Sequence, residues 1–267
     1  MSTKINKKIV LKIGGSTLST KVGIERICQE INEIFLSGSK LIIVHGGGKD
    51  INYFLDKQGL ESKFINGLRF TDAKTMDVVE MVLSGKVNKE LVMHLNNIGC
   101  KAVGLSGKDG NLFTAKKLSD IELGLVGEVD KSNTDILDLL ISNNFLPIIS
   151  PVAATNENIT LNLNADYAAA AIAAAWGADE LCFMTDVNGI LKDHTNANSL
   201  IEEIDVKGID ELINKGIITG GMIPKVDCCI KAINLGVPKV FMINGAKEGI
   251  LLERILYNQN VGTTIYG

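Results

Sequence analysis

Apolar residues gather in short unbroken runs separated by segments of helical period. Ile9-Val10-Leu11, Leu41-Ile42-Ile43-Val44 and the runs at 101–105, 146–150, 180–185 and 239–243 are of this kind. Such runs predict strands buried on both faces, as in the middle of a parallel sheet. Between the first two, Ile24, Ile27, Ile31, Ile34 and Phe35 predict a helix that Gly38 ends. Further helices are predicted from 51–55, from a Thr71-Asp72 cap to about residue 97 with a bend near Gly85, and over 134–143, 167–176, 211–214, 224–235 and 250–256. Two short strands, 112–115 and 125–129, read as an antiparallel excursion, and 264–266 as a last strand. Strands alternating with helices predict the α/β class, with a mainly parallel sheet between helical layers. A boundary near Trp176-Gly177 divides the chain into lobes 1–176 and 177–267 that share this sheet.

The informative positions are those that break the pattern. Leu41–Asp50 is the stretch the rest is organised around, because Gly46-Gly47-Gly48 follows its apolar run directly. Three glycines serve either as a tight strand-to-helix turn or as a backbone cradle whose N–H groups close on an anion. Lys12-Ile13-Gly14-Gly15 repeats the arrangement at the end of the first strand, which points to one shared anion site. Lys12 itself can snorkel to solvent or serve a ligand, and strand C-termini are where open α/β sheets hold their ligands. Asn66-Gly67 marks a turn, and Arg69 after it is a surface residue or a carboxylate binder. Asn164 is a candidate N-cap and Asp166 suits the first turn of its helix, which leaves Asn162 unexplained by capping. Asp186-Val187-Asn188-Gly189 forms another turn at a strand end. Lys225, behind Gly220-Gly221 and Pro224, has the wrong charge for a helix start unless an anion sits there.

Composition narrows the chemistry. The 267 residues hold 46% hydrophobic residues, enough for a large core, and a net charge of −4 argues against non-specific nucleic-acid binding. The five cysteines, Cys28, Cys100, Cys182, Cys228 and Cys229, include no Cys-x-x-Cys pair and read as buried free thiols of a reducing cytosol. The Ala-rich stretch 168–176 is too short to span a bilayer, and no long apolar segment follows Met1, so a soluble cytoplasmic protein without a signal peptide is expected. Walker A, Gly-x-Gly-x-x-Gly and protein-kinase signatures are absent, Ser106-Gly107-Lys108-Asp109-Gly110 has the wrong spacing for a phosphate loop, and His45, His94 and His194 lack metal-ligand spacing. What remains is a set of anion donors: two glycine turns, Lys12, Lys225 and Arg69, with Asp166 among them. Phosphoryl transfer suits such a set, because positioning and charge neutralisation supply most of its catalysis. No general base is evident, which favours an acceptor already ionised, such as a carboxylate of pKa about 4.

Lys12-Ile-Gly-Gly15, His45-Gly-Gly-Gly48, Asn66-Gly-Leu-Arg69, Asn162-Leu-Asn-Ala-Asp166, Asp186-Val-Asn-Gly189 and Gly221-Met-Ile-Pro-Lys225 also resemble, in this order, the motifs of the acetylglutamate kinases of the amino acid kinase superfamily. The resemblance covers nearly the whole chain. It implies a three-layer αβα sandwich with an open sheet, and ATP-dependent phosphorylation of the side-chain carboxylate of N-acetyl-L-glutamate, a step of arginine biosynthesis. The acyl-amino acid would bind in the first lobe, which would also dimerise, and ATP in the second. Lys12 and Lys225 would stabilise the transferring group and Asp166 would orient both. Gly14, Gly15, Gly47 and Gly48 would hold phosphate and acceptor oxygens, and Arg69 and Asn162 the amino-acid end of the substrate. Asp186, Val187, Asn188, Gly189, Ile190 and Leu191, with Ile217, Ile218 and Thr219, match nucleotide-binding segments. Mg²⁺ would be held mainly by the ATP phosphates, with no dedicated metal ligands. About seven residues precede the first strand, where arginine-inhibited members carry an extra helix; a homodimer indifferent to arginine is the resulting expectation. Kinases of N-succinylglutamate or N-acetyl-aminoadipate, and a non-catalytic nucleotide or amino-acid sensor, are the alternatives.

Overall fold

In the computed structural model, which describes residues 7–14, 17–119, 122–193, 195, 196 and 198–267, the apolar runs line up side by side. In chain order the first half comprises β1 (Lys8–Ile13), α1 (Lys21–Leu36), β2 (Lys40–His45), α2 (Gly48–Lys57), β3 (Phe64–Ile65), β4 (Leu68–Arg69), α3 (Ala73–Glu80), α4 (Asn88–Asn97), β5 (Ala102–Ser106), β6 (Phe113–Lys117) and β7 (Val126–Ser132). There follow α5 (Asp135–Ser142), β8 (Leu146–Ser150), β9 (Val152–Ala154), β10 (Thr160–Leu163), α6 (Ala165–Trp176), β11 (Glu180–Thr185), β12 (Glu203–Asp205), α7 (Val206–Asn214), α8 (Ile223–Asn234), β13 (Lys239–Asn244), α9 (Ile250–Ile255) and β14 (Thr263–Tyr266). Eight strands form the central sheet in the order β12-β14-β13-β11-β1-β2-β8-β5. Every pairing in it is parallel except β13 with β14.

β1 lies between β2 and β11, with Lys12 level with Val44 on one side and Phe183 on the other. The chain winds outward from β1 in one direction through β2 and returns on its other flank at β11. The C-terminal ends of these three strands therefore border the crevice where open α/β sheets bind ligands. Residues alternating along β1 feed two cores: Ile9, Leu11 and Ile13 pack under α1, α4 and α9, and Val10 packs with α6 and α8. Both faces are apolar, so burial holds the sheet from each side.

α6 begins where Asn164 Oδ1 accepts from the N–H groups of Asp166 (2.8 Å) and Tyr167 (3.3 Å), the expected cap. Its alanines let it lie close on the sheet, with Ala168, Ala169, Ala170 and Ala173 buried. The helix expected to bend near Gly85 is continuous from α3 to α4 through a π-helical turn, Met81–Val87, that contains this glycine. Asn66 (φ 51°) and Gly67 (φ 80°) make the tight turn between β3 and β4. The antiparallel excursion is larger than the sequence pattern predicts. β6 and β7 close into a small barrel with β9 and β10, whose three and four residues are too short to show a period. The even shorter β12 escapes the pattern for the same reason, and α7 starts five residues before the predicted 211–214 segment. Residues 1–6, Gly15 and His194 lie outside the described residues. All five cysteines are buried free thiols, and burial pushes the Cys100 thiol up to about 11.

Candidate active site

The two glycine turns meet at the β1–β2 edge, where the Gly46 N–H donates to Ile13 O at 3.0 Å. Gly14 permits a close approach of strands: a Cβ there would lie 2.9 Å from Met184 O on β11. α2 starts at Gly48 with no side-chain cap, and among the described residues neither the Gly47 nor the Gly48 N–H has an acceptor. A helix start with open N–H groups is a site for an anion. Beside it is a cleft of about 250 Å³ lined by Lys12, Gly47, Gly48, Leu83, Arg69, Asn162 and Asp166, among others.

Arg69 is buried and reaches this cleft from β4. Its guanidinium donates to Ser62 Oγ and to Gly48 O (3.2 Å), and stacks on Phe64 with 4.7 Å to the ring centroid. Among the described residues it has no carboxylate partner, and burial pushes its pKa down. A buried cation without a counter-charge calls for an anion from outside. Asn162, on β10, is tied to Thr71 Oγ1 at 3.2 Å and faces the same cleft.

On the other flank a cleft of about 370 Å³ is lined by Asp186, Val187, Asn188, Gly189, Ile190, Leu191, Ile217, Ile218 and Thr219, the nine residues that the family resemblance implies for a nucleotide. Met222 and Asn244 complete it and are missed by the sequence reading. Asn244 ends β13 at the ligand-bearing edge and donates to Asn188 Oδ1 at 2.9 Å, so the rule about strand C-termini could have found it. Gly189 has φ 135°, where a side chain would be strained, and a Cβ there would meet Thr263 Oγ1 at 2.5 Å.

Between these clefts lies a third, about 420 Å³, that contains Lys12, Gly14, Gly48, Arg69, Asp166, Asp186 and Lys225. It joins the flanking two, sharing Asp186 with the one and Lys12, Gly48, Phe64, Arg69 and Asp166 with the other. Lys12 pairs with Asp166 at 2.7 Å. Lys225 pairs with Asp186, and its hydrogen bond holds that carboxyl below the usual range. Among the described residues Asp166 therefore engages one lysine and not both: Lys225 Nζ reaches across to Asp186, the residue just after β11. A narrow crevice with two ammonium groups, a buried guanidinium and free backbone N–H groups is built to bind and stabilise phosphoryl oxygens.

The fold and this site are those of a phosphotransferase. Residues 7–244 match the amino acid kinase family, and the chain belongs to that family and is an ATP-dependent kinase. It is 48% identical over 263 residues to the acetylglutamate kinase of Nostoc punctiforme, covering 98% of this chain and 88% of that relative. With the acetylglutamate kinase of Prochlorococcus marinus it shares 47% identity over 259 residues, 97% of this chain and 92% of the other. A crystal structure from Streptococcus mutans UA159 superposes with a TM-score of 0.80 at 32% identity, over 97% of this chain and 98% of that one.

Proposed function

We propose that the chain transfers the γ-phosphoryl group of ATP to the side-chain carboxylate of N-acetyl-L-glutamate, a step of arginine biosynthesis. The observation that carries this reading is Arg69, a buried cation without a carboxylate partner among the described residues, in a small cleft that opens directly onto Lys12 and the glycine turns. Arg69 and Asn162 hold the amino-acid end. The other carboxylate then lies toward Lys12, Gly47 and Gly48. A carboxylate oxygen forms the new bond to phosphorus as the bond to the β,γ-bridging oxygen breaks, and ADP leaves with that electron pair. The acceptor is ionised at neutral pH, so no base is required. Lys12 and Lys225 neutralise charge as it redistributes over the phosphoryl oxygens, and Asp166 and Asp186 hold the two ammonium groups in the cleft.

Mg²⁺ would come with ATP and be held mainly by its phosphates, because Asp166 and Asp186 are each engaged by a lysine. The same proposal includes a homodimer in the cytoplasm. Among the described residues no helix is long and apolar enough to cross a membrane. ATP turnover in the presence of hydroxylamine tests the reaction, since an acyl phosphate yields a hydroxamate. Across N-acetyl-L-glutamate, N-succinyl-L-glutamate and N-acetyl-aminoadipate, the first should give the highest kcat/KM. Hydroxamate formed fastest with another member, or with none, overturns the assignment.

A further inference from the structure

β2 ends in His45, which is completely buried and takes no part in the chemistry above. Its Nδ1 lies 2.9 Å from Gly46 O, and its Nε2 lies 3.1 Å from Asn88 Nδ2. A carbonyl oxygen can only accept, so Nδ1 carries the proton. The orientation of the Asn88 amide is settled by its other partners: Nδ2 also donates to Ile148 O at 2.9 Å, and Oδ1 accepts from Lys89 Nζ at 3.0 Å. Nε2 therefore accepts from Asn88, and the ring must be neutral. Burial pushes its pKa down to about 4, with the Lys89 charge acting in the same sense.

Three further features point to a built arrangement. Asn88 is itself fully buried and is the first residue after the π-helical turn. Gly104 on β5 makes room for it, because a Cβ there would lie 2.0 Å from Asn88 Oδ1. The π-helical turn also seats the glycine turn directly: a Cβ on Gly47 would lie 2.7 Å from Leu83 Cδ2 and 3.3 Å from Val87 Cγ2. π-helical turns are rare and recur at functional sites.

Peptide geometry connects this network to the site. In a trans peptide the Gly46 C=O and the Gly47 N–H lie in one plane and point in opposite directions. A donor fixed on the carbonyl thus fixes where the N–H points. Taking the glycine turn as the cradle for the transferring group, as proposed above, we infer that Asn88 and His45 are positioning residues that relay the place of the π-helical turn to the Gly47 N–H. Neither touches substrate. Their contribution is to hold the cradle in its reactive orientation before the substrates arrive, so the acceleration they supply appears in kcat.

Replacement at position 45 separates this role from simple packing. His45→Leu removes both ring nitrogens, whereas His45→Asn keeps an N–H donor near the Nδ1 position. We expect His45→Leu to lower kcat by on the order of tenfold to a hundredfold, with KM for ATP within about twofold of the parent. His45→Asn should recover most of the lost kcat. A folded His45→Leu enzyme with parental kcat, or an Asn variant no better than the Leu variant, overturns the inference. Should His45→Leu not fold, His45→Asn is compared with His45→Gln, which supplies an amide near Nε2 instead. Asn must then be the faster, and equality or the reverse order overturns the inference. The parent's own hydroxamate yield separates the two levels, since an inactive parent refutes the proposed reaction whereas an active parent with indifferent variants refutes only the relay.

Discussion

Lys12 and Lys225 enter the central cleft from β1 and α8, each already bound to an aspartate. Arriving phosphates bring oxygens that compete for the same ammonium groups. In the ground state the lysines exchange one anion for another, so their net contribution to binding is small. In the proposed reaction charge gathers on oxygens in the cleft as the phosphoryl group transfers, and the lysines would act most strongly there. Lys12→Met and Lys225→Met should each lower kcat a hundredfold to a thousandfold, about 3–4 kcal/mol, while KM for ATP moves little. A steep rise in KM with kcat preserved would make them ground-state anchors. His45 gives a second prediction at this scale, in stability. Its folded pKa of about 4 lies below the ordinary 6.5, so between these values the unfolded chain binds more protons than the native one. Stability from this group is full above pH 6.5, declines as pH falls, and is lost through pH 4, by on the order of 3 kcal/mol. Urea midpoints should show a shallower decline across that window for His45→Asn than for the parent, and parallel slopes would refute the assignment.

Among the elements, the start of α2 separates what the fold needs from what the site needs. Gly47 is held by packing, because a Cβ would press on Leu83 and Val87. At Gly48 the nearest atom that a Cβ would meet is Arg69 Nη2, 3.9 Å away on the ligand side. Gly48→Ala should therefore leave the melting temperature unchanged or raise it, since alanine is the better helix former by up to about 1 kcal/mol. Yet kcat/KM should fall, because the methyl stands where oxygen must approach the N–H groups. A lower melting temperature with kcat/KM intact would invert the argument. The same contrast explains what the sequence discloses. Strands such as Leu41–Val44 and glycine turns at their ends are local signals, so the clefts around Lys12 and Asp186 could be read from them. Lys225 meets Asp186 across 39 residues of chain, and Asn88 meets His45 across 43. Neither leaves a local period or spacing. β9, β10 and β12 are hidden for another reason, being shorter than a period needs to show.

At the scale of the molecule, the proposed lobes 1–176 and 177–267 do not possess separate interiors. β1 pairs with β11 from Ile9 opposite Glu180 to Ile13 opposite Met184, so the boundary runs through the centre of the sheet. One apolar layer joins Ile9, Leu11 and Ile27 to Met184, Phe241 and Leu251, and the other joins Val10, Ile42 and Ala169 to Leu181, Phe183 and Val226. Separating the lobes would expose both layers to water along their length, at roughly 25 cal/mol for each Å² of apolar surface. Unfolding should therefore be a single calorimetric transition with equal van't Hoff and calorimetric enthalpies, and the fragments 1–176 and 177–267 should not fold when made apart. A non-hydrolysable ATP analogue sharpens the test, because the cleft expected to hold it is lined by residues of the second lobe alone. At a hundred times its Kd it should stabilise the native state by about 2.7 kcal/mol and move the whole transition upward. Two resolved transitions, with only the one belonging to 177–267 responding to the analogue, would show that the shared sheet does not couple the lobes.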